Sequence, residues 1–118
     1  MEVGVGGPAN RPEFGDPETE DGFRALLAMD AYLQMDQGVE YPAVLATVGM
    51  TDPRVDSWVP AKYIARMQAS SSSDRPVLLR VEFEAGHGMG STQSQVEAEM
   101  ADFFAFLFWQ LGHPDFQP

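Results

Sequence analysis

Residues 76–90 read Pro76-Val77-Leu78-Leu79-Arg80-Val81-Glu82-Phe83-Glu84-Ala85-Gly86-His87-Gly88-Met89-Gly90. The first eight begin as a continuous apolar run and then alternate, as a β-strand does when one end emerges from a sheet. Three glycines and one of the chain's two histidines follow at once. Ser91 and Thr92 can then cap a helix in which Val96, Met100, Phe103, Leu107 and Leu111 form one apolar stripe, widened by Phe104 and Phe108. The expected order is therefore strand, glycine-rich histidine loop, and helix over 92–111.

The same order stands upstream. Tyr41-Pro42-Ala43-Val44-Leu45-Ala46-Thr47-Val48-Gly49 is a short apolar run ending in glycine, the pattern of a buried strand. The turn Met50-Thr51-Asp52-Pro53-Arg54 follows. Trp58, Ile64, Ala65 and Met67 then continue in helical register until the serines Ser70 to Ser73, which read as a solvated loop. Earlier still, Thr19-Glu20-Asp21 opens a helix over about 20–34, with Phe23, Leu26, Leu27, Met29 and Leu33 at helical spacing and acids in the first turn. Residues 1–17 hold four glycines and three prolines with no sustained apolar period, and read as a loop or extended arm. Alternation of strands and helices predicts an α/β fold with about two parallel strands and three helices. Two such apolar strands would leave open edges and faces, so residues 18–118 are expected to be the terminal part of a larger α/β domain.

Composition narrows the function. The net charge is −11, which repels a phosphate backbone, so no nucleic-acid partner is expected. No 18-residue apolar run is present and the first residues lack the basic start and apolar middle of a signal peptide, so no membrane partner is expected. Without cysteine there is neither a disulfide nor a thiolate metal site. Cellular location stays open.

Each strand is followed by a loop and then a helix, which places both loops at the carboxyl edge of the sheet, where open α/β proteins carry their binding groups. One loop holds Asp52, the other His87. If the strands are adjacent, the carboxylate can bond one imidazole nitrogen and leave the other free as a general base. Gly86, Gly88 and Gly90 would let substrate and nucleophile approach closely. Singly, each residue has a plainer reading. An aspartate before proline forms turns or caps helices, and His113, in Gly112-His113-Pro114, reads as a solvated tail residue. The joint order of acid loop and then histidine loop, on successive strand ends, is that of α/β-hydrolases. Asp52, His87 and Glu84 offer no helical i, i+4 ligand pair, so no metal site is expected.

The segment 41–68, the loop at 84–90 and the approach Glu13-Phe14-Gly15-Asp16-Pro17-Glu18 resemble the C-terminal end of the catalytic domain in the prolyl oligopeptidase family of serine peptidases. The resemblance covers about residues 10–111. It is carried by Asp52-Pro53-Arg54-Val55 after one strand, Lys62-Tyr63 on the next helix, and Ala85-Gly86-His87-Gly88 after the other strand. It implies that Asp52 is the catalytic acid and His87 the catalytic base. It further implies that Arg54 binds a substrate backbone carbonyl and that Val55 lines a proline-accepting pocket. Ser57 stands where the family usually has proline. No Gly-x-Ser-x-Gly elbow occurs in the sequence; Ser91, in Gly88-Met89-Gly90-Ser91-Thr92, follows the histidine and lacks the strand-turn-helix setting.

The expectation is thus the C-terminal piece of a peptidase that cleaves after proline in short peptides. It would need no cofactor, and its partner would be the remainder of the hydrolase domain, which would hold the serine. Alone, the chain is expected to be inactive and to form a homo-oligomer through its open sheet. The alternatives are a non-catalytic acidic module that self-associates, or a piece of a related aminopeptidase or esterase. Arg54 favours a peptide substrate, although an arginine in such a turn also serves as an ion-pair partner.

Overall fold

The computed structural model describes residues 7–86 and 91–118. Helices α1 (Gly7–Phe14) and α2 (Glu20–Met29) precede strand β1 (Val44–Gly49). Helix α3 (Trp58–Ser70), strand β2 (Val77–Glu82), helix α4 (Gln93–Gln110) and a 3-10 turn over Pro114–Phe116 follow. The α/β class and the order of the strands and their flanking helices stand as expected, with one helix added at the front.

That helix corrects the reading of residues 1–17 as a loop or arm over Gly7–Phe14; residues 1–6 lie outside the described residues. Pro8 occupies the first turn, where its fixed φ suits a helix and its missing N–H goes unused. Gly15, at φ 107°, closes the helix by donating its N–H to the Arg11 carbonyl at 3.0 Å. Arg11 also reaches Asp16 and Glu18, each at 3.3 Å.

Helix α2 begins as expected. Thr19 caps it by accepting from the Gly22 N–H at 3.1 Å, and Glu20 pairs with Arg24 at 2.7 Å. It stops at Met29, short of residue 34, because the Asp30 carboxylate accepts from the N–H groups of Tyr32 (2.9 Å) and Leu33 (3.1 Å). An aspartate offering its side chain to nearby amides competes with the helical bond pattern. The chain after the turn carries Met35 into the core.

Strands β1 and β2 are parallel, in register from Val44 opposite Val77 to Gly49 opposite Glu82. One face of the pair carries Val44, Ala46, Val77 and Leu79, which pack with Met35, Ile64 and Met67. Helix α3 covers this face with Ile64, Met67 and Ser70; Trp58 and Ala65, read as part of the same helical register, are exposed. The serine run is the solvated loop expected only in part: Ser72 is exposed and Ser71 and Ser73 are half-buried, but Ser70 is not in solvent. Ser70 ends α3 fully buried and accepts from Gln37 Nε2 at 2.8 Å. Ser71 forms a parallel bridge with Val39, and the Ser72 hydroxyl donates to the Gly38 carbonyl at 2.9 Å. Small polar side chains fit between two backbones where larger ones would separate them. Ser71 and Ser72 thereby extend the strand pairing, while the bond to Ser70 satisfies a buried hydroxyl.

The opposite sheet face carries Leu45, Leu78 and Arg80. Helix α4 stands across a groove of about 810 Å³ from it, lined also by Phe106 and Trp109. The tie between them is polar: Arg80 Nε donates to Asp102 at 2.7 Å, and Arg80 also pairs with Glu82 at 3.5 Å. The Asp102 hydrogen bond is the main cause that raises the Arg80 pKa, against the cost of burial, with the charges of Asp102, Glu82 and Glu99 adding to it. A guanidinium whose pKa is raised further stays charged at neutral pH, so its side of the ion pair is fully present there. None of the α4 residues is buried, so β1, judged a buried strand, is only half-buried and the stripe on α4 lies open. After α4 the chain folds back, with Phe116 5.1 Å and His113 5.4 Å from Phe108. His113 is exposed, yet it is no loose tail residue: its Nδ1 accepts from the Asp115 N–H at 3.3 Å.

Candidate active site

Because the strands are parallel and in register, Gly49 and Glu82 end them at one level, and the loops that follow leave the same edge side by side. Three backbone contacts hold the first turn of the acid loop in place. The Met50 N–H donates to the Glu82 carbonyl (2.8 Å), the Thr51 N–H to the Ala85 carbonyl (3.3 Å), and the Asp52 N–H to the Gly49 carbonyl (3.3 Å). Ala85 is 5% exposed, clamped between the loops.

Asp52 is half-buried. Its Oδ1 accepts from the N–H groups of Arg54 (2.8 Å) and Val55 (3.0 Å). Pro53, between Asp52 and Arg54, has no N–H to compete, so the sequence Asp-Pro-x-Val closes a turn around the carboxylate. The plain reading of Asp52 as a turn former is therefore correct as far as it goes. The same turn fixes the direction of Asp52 and presents Arg54 and Val55 outward on successive residues. Val55 is 42% exposed, and Met50, Trp58 and Val59 add further open apolar surface around it. Among the described residues Arg54 enters no ion pair.

A cavity of about 450 Å³ lies at this edge, and its lining includes Asp52, Val55, Ala85, Gly86 and Ser91. His87, with Gly88, Met89 and Gly90, lies outside the described residues; Gly86 and Ser91 on either side of that stretch both line the cavity. Ser91 adjoins the cap of α4 and not the end of a strand. Glu82, Gln95 and Glu99 supply polar walls, and Gln95 Nε2 donates to Glu84 at 3.4 Å. No group of three residues able to hold a metal ion occurs among the described residues, and no helix of the described residues is long and apolar enough to cross a membrane.

In the sequence Gly49 stands only as the end of a strand. In the structure it is the point where the two loops meet: a side chain there would collide with the backbone of Ala85 and Gly86. A glycine that closes an apolar run directly before a candidate acid loop was the available signal. The Arg80–Asp102 tie left no comparable trace, because its partners lie on different elements.

Parallel strands with a helical crossover and paired loops at their carboxyl ends are the edge of an α/β-hydrolase sheet, and the solved structures that resemble this chain are α/β-hydrolase domains. Residues 8–114 match the family described as the prolyl oligopeptidase family, and the chain belongs to that family. It is 37% identical over 100 residues to dipeptidyl aminopeptidase BI of Pseudoxanthomonas mexicana and 33% identical over 104 residues to a prolyl endopeptidase of Elizabethkingia meningoseptica. Each match covers 85% of this chain. The chain spans 14% of the length of either relative. Among solved structures it resembles prolyl oligopeptidase B of Galerina marginata, bound to a 35mer hydrolysis and macrocyclization substrate. The TM-score is 0.85 at 27% identity, over 94% of this chain and 16% of that one. The match to the family reaches slightly beyond the span expected from the motifs, and takes in most of α1.

Proposed function

We propose that these residues supply the acid and the base of a Ser-Asp-His triad in a serine peptidase that cleaves after proline in short peptides. Asp52 is the acid and His87 the base. The carrying observation is the backbone clamp between the Asp52 loop and the residues leading to His87, built from the Met50–Glu82 and Thr51–Ala85 hydrogen bonds. In the reaction, a serine from outside these residues attacks the scissile carbonyl. His87 accepts the serine proton and delivers it to the departing amine, and Asp52 orients the imidazole and supports its positive charge. Arg54 donates to a carbonyl oxygen of the bound peptide, and Val55 forms part of an apolar pocket for the proline ring. The chemistry needs no cofactor.

The remainder of the hydrolase domain is the partner that the groove beside α4 and the free edge of β1 fit. By themselves the 118 residues turn over no peptide, because they contain no nucleophile elbow. They associate with one another instead through the same apolar surfaces.

The test reads the imidazole directly. With only two histidines, nuclear magnetic resonance can follow each one across pH, and His113 serves as an internal reference. Replacing Asp52→Asn removes a negative charge that favours the imidazolium, so His87 is expected to lose its proton at lower pH while His113 is unmoved. A His87 titration identical in both chains would sink the pairing. Hydrolysis of a Gly-Pro chromogenic amide by the 118-residue chain, abolished by His87→Ala, would show instead that the nucleophile lies within it.

A further inference from the structure

Gly49 closes β1 opposite Glu82, three positions before Asp52. Its backbone angle does not demand glycine: among the described residues, left-handed glycines stand at 15, 38 and 112. Space demands it. A methyl group placed on its Cα overlaps the carbonyl oxygens of both Ala85 and Gly86, and comes within 3.0 Å of the Ala85 carbonyl carbon. These are backbone atoms, unable to swing aside as the tip of a long side chain would. Ala85 is buried, so its backbone has little room to retreat within the present packing. The Thr51–Ala85 hydrogen bond lies immediately beside the contact.

We propose that Gly49 is a positioning residue for the acid–base pair: the missing side chain sets how closely the Asp52 loop approaches the two residues that precede His87. The inference rests on the roles proposed above for Asp52 and His87. Restoring an ordinary carbon–oxygen contact at this point requires the 85–86 backbone to move by on the order of 1 Å. Catalytic groups tolerate about 0.5 Å before their geometry becomes unproductive. One added methyl at position 49 therefore uncouples His87 from Asp52 while touching neither side chain.

The experiment compares the His87 titration in four chains: unaltered, Asp52→Asn, Gly49→Ala, and the double variant. Glu82, Glu84, Glu99 and Arg80 also border this edge and are unchanged in all four, so the differences isolate Asp52. Gly49→Ala is expected to lower the His87 midpoint in the direction Asp52→Asn lowers it, and to add nothing in the Asp52→Asn background. Hydrogen exchange at the Thr51 amide is expected to quicken in Gly49→Ala, with His113 unmoved. If Gly49→Ala leaves His87 unchanged, or shifts it equally with and without Asp52, the positioning role is overturned while the acid–base reading survives. If Asp52→Asn itself has no effect, both fall. Should Gly49→Ala not fold, the unaltered chain decides: nuclear Overhauser contacts from the Gly49 Hα protons to the Ala85 and Gly86 backbone, with a protected Thr51 amide, are expected, and their absence overturns the proposal.

Discussion

At the scale of single residues, the same atoms carry local and distant duties. Asp52 closes its own turn through Oδ1 and lies on the cavity at the carboxyl edge. Its candidacy was legible because the turn and the strand before it are adjacent in sequence. Gly49 was not legible in this way, since the backbone it must clear belongs to a loop more than thirty residues later and only strand pairing brings the two together. In the core, Ile64 is 2% exposed and touches a cluster that includes Met35, Met67 and Val77. Few residues share that burden, so Ile64→Ala is expected to lower the unfolding free energy by about 3 kcal/mol, through lost transfer energy and the cavity left behind. Urea denaturation of both chains at one fixed protein concentration measures it; a loss under 1 kcal/mol would mean that this cluster is not the core.

At the scale of elements, local hydrogen bonding decided where helices begin and end. The start of α4 was readable: Thr92 accepts from the Gln95 N–H at 3.3 Å, and Gln95 Oε1 accepts from the Thr92 N–H at 2.6 Å. Because these bonds satisfy otherwise unpaired groups of the first turn, Thr92→Ala is expected to cost about 1 kcal/mol, and Thr92→Gly only a few tenths. The difference between the two urea midpoints checks the cap, and equal midpoints would remove it. The early end of α2 depended on Asp30 turning its carboxylate back onto Tyr32 and Leu33. That is a competition between two local patterns that apolar spacing does not register. Ser70 to Ser73 were misread in part, for a different reason. Polarity alone places serines in solvent, whereas Ser70 is buried with its hydroxyl satisfied by Gln37, and Ser71 pairs with Val39 at the edge of the strands.

At the scale of the whole molecule, the chain is flat and open. Its extents are 53 × 38 × 19 Å and its radius of gyration 17.1 Å, where about 13.5 Å is typical of a compact chain of this length. Its accessible surface is 8282 Å², against about 6,300 Å² for a folded monomer of the same mass. Large apolar side chains contribute to this surface: Phe103, Phe104, Leu107 and Phe108 on α4 and Leu111 just after it all lie open, Leu111 at 73%. Exposure on this scale promotes association, while the net charge of −11 opposes it. Light scattering is therefore expected to give a mass above 13.0 kDa that falls on dilution and rises with salt, as screening weakens the repulsion. A monodisperse monomer at all concentrations would count against self-association.

The sequence by itself determined the alternation of strands and helices, the cap of α4, the loops that bear Asp52 and His87, and the family. Each of these is written in residues close together along the chain, where spacing, turn chemistry and motif act. Tertiary structure alone decided the register that levels Gly49 with Glu82 and the clamp of Thr51 on Ala85. It also decided the burial of Ser70 and the tie of Arg80 to Asp102. These depend on which distant backbones approach each other, and that is settled by packing and hydrogen-bond satisfaction across the fold, not by any local pattern.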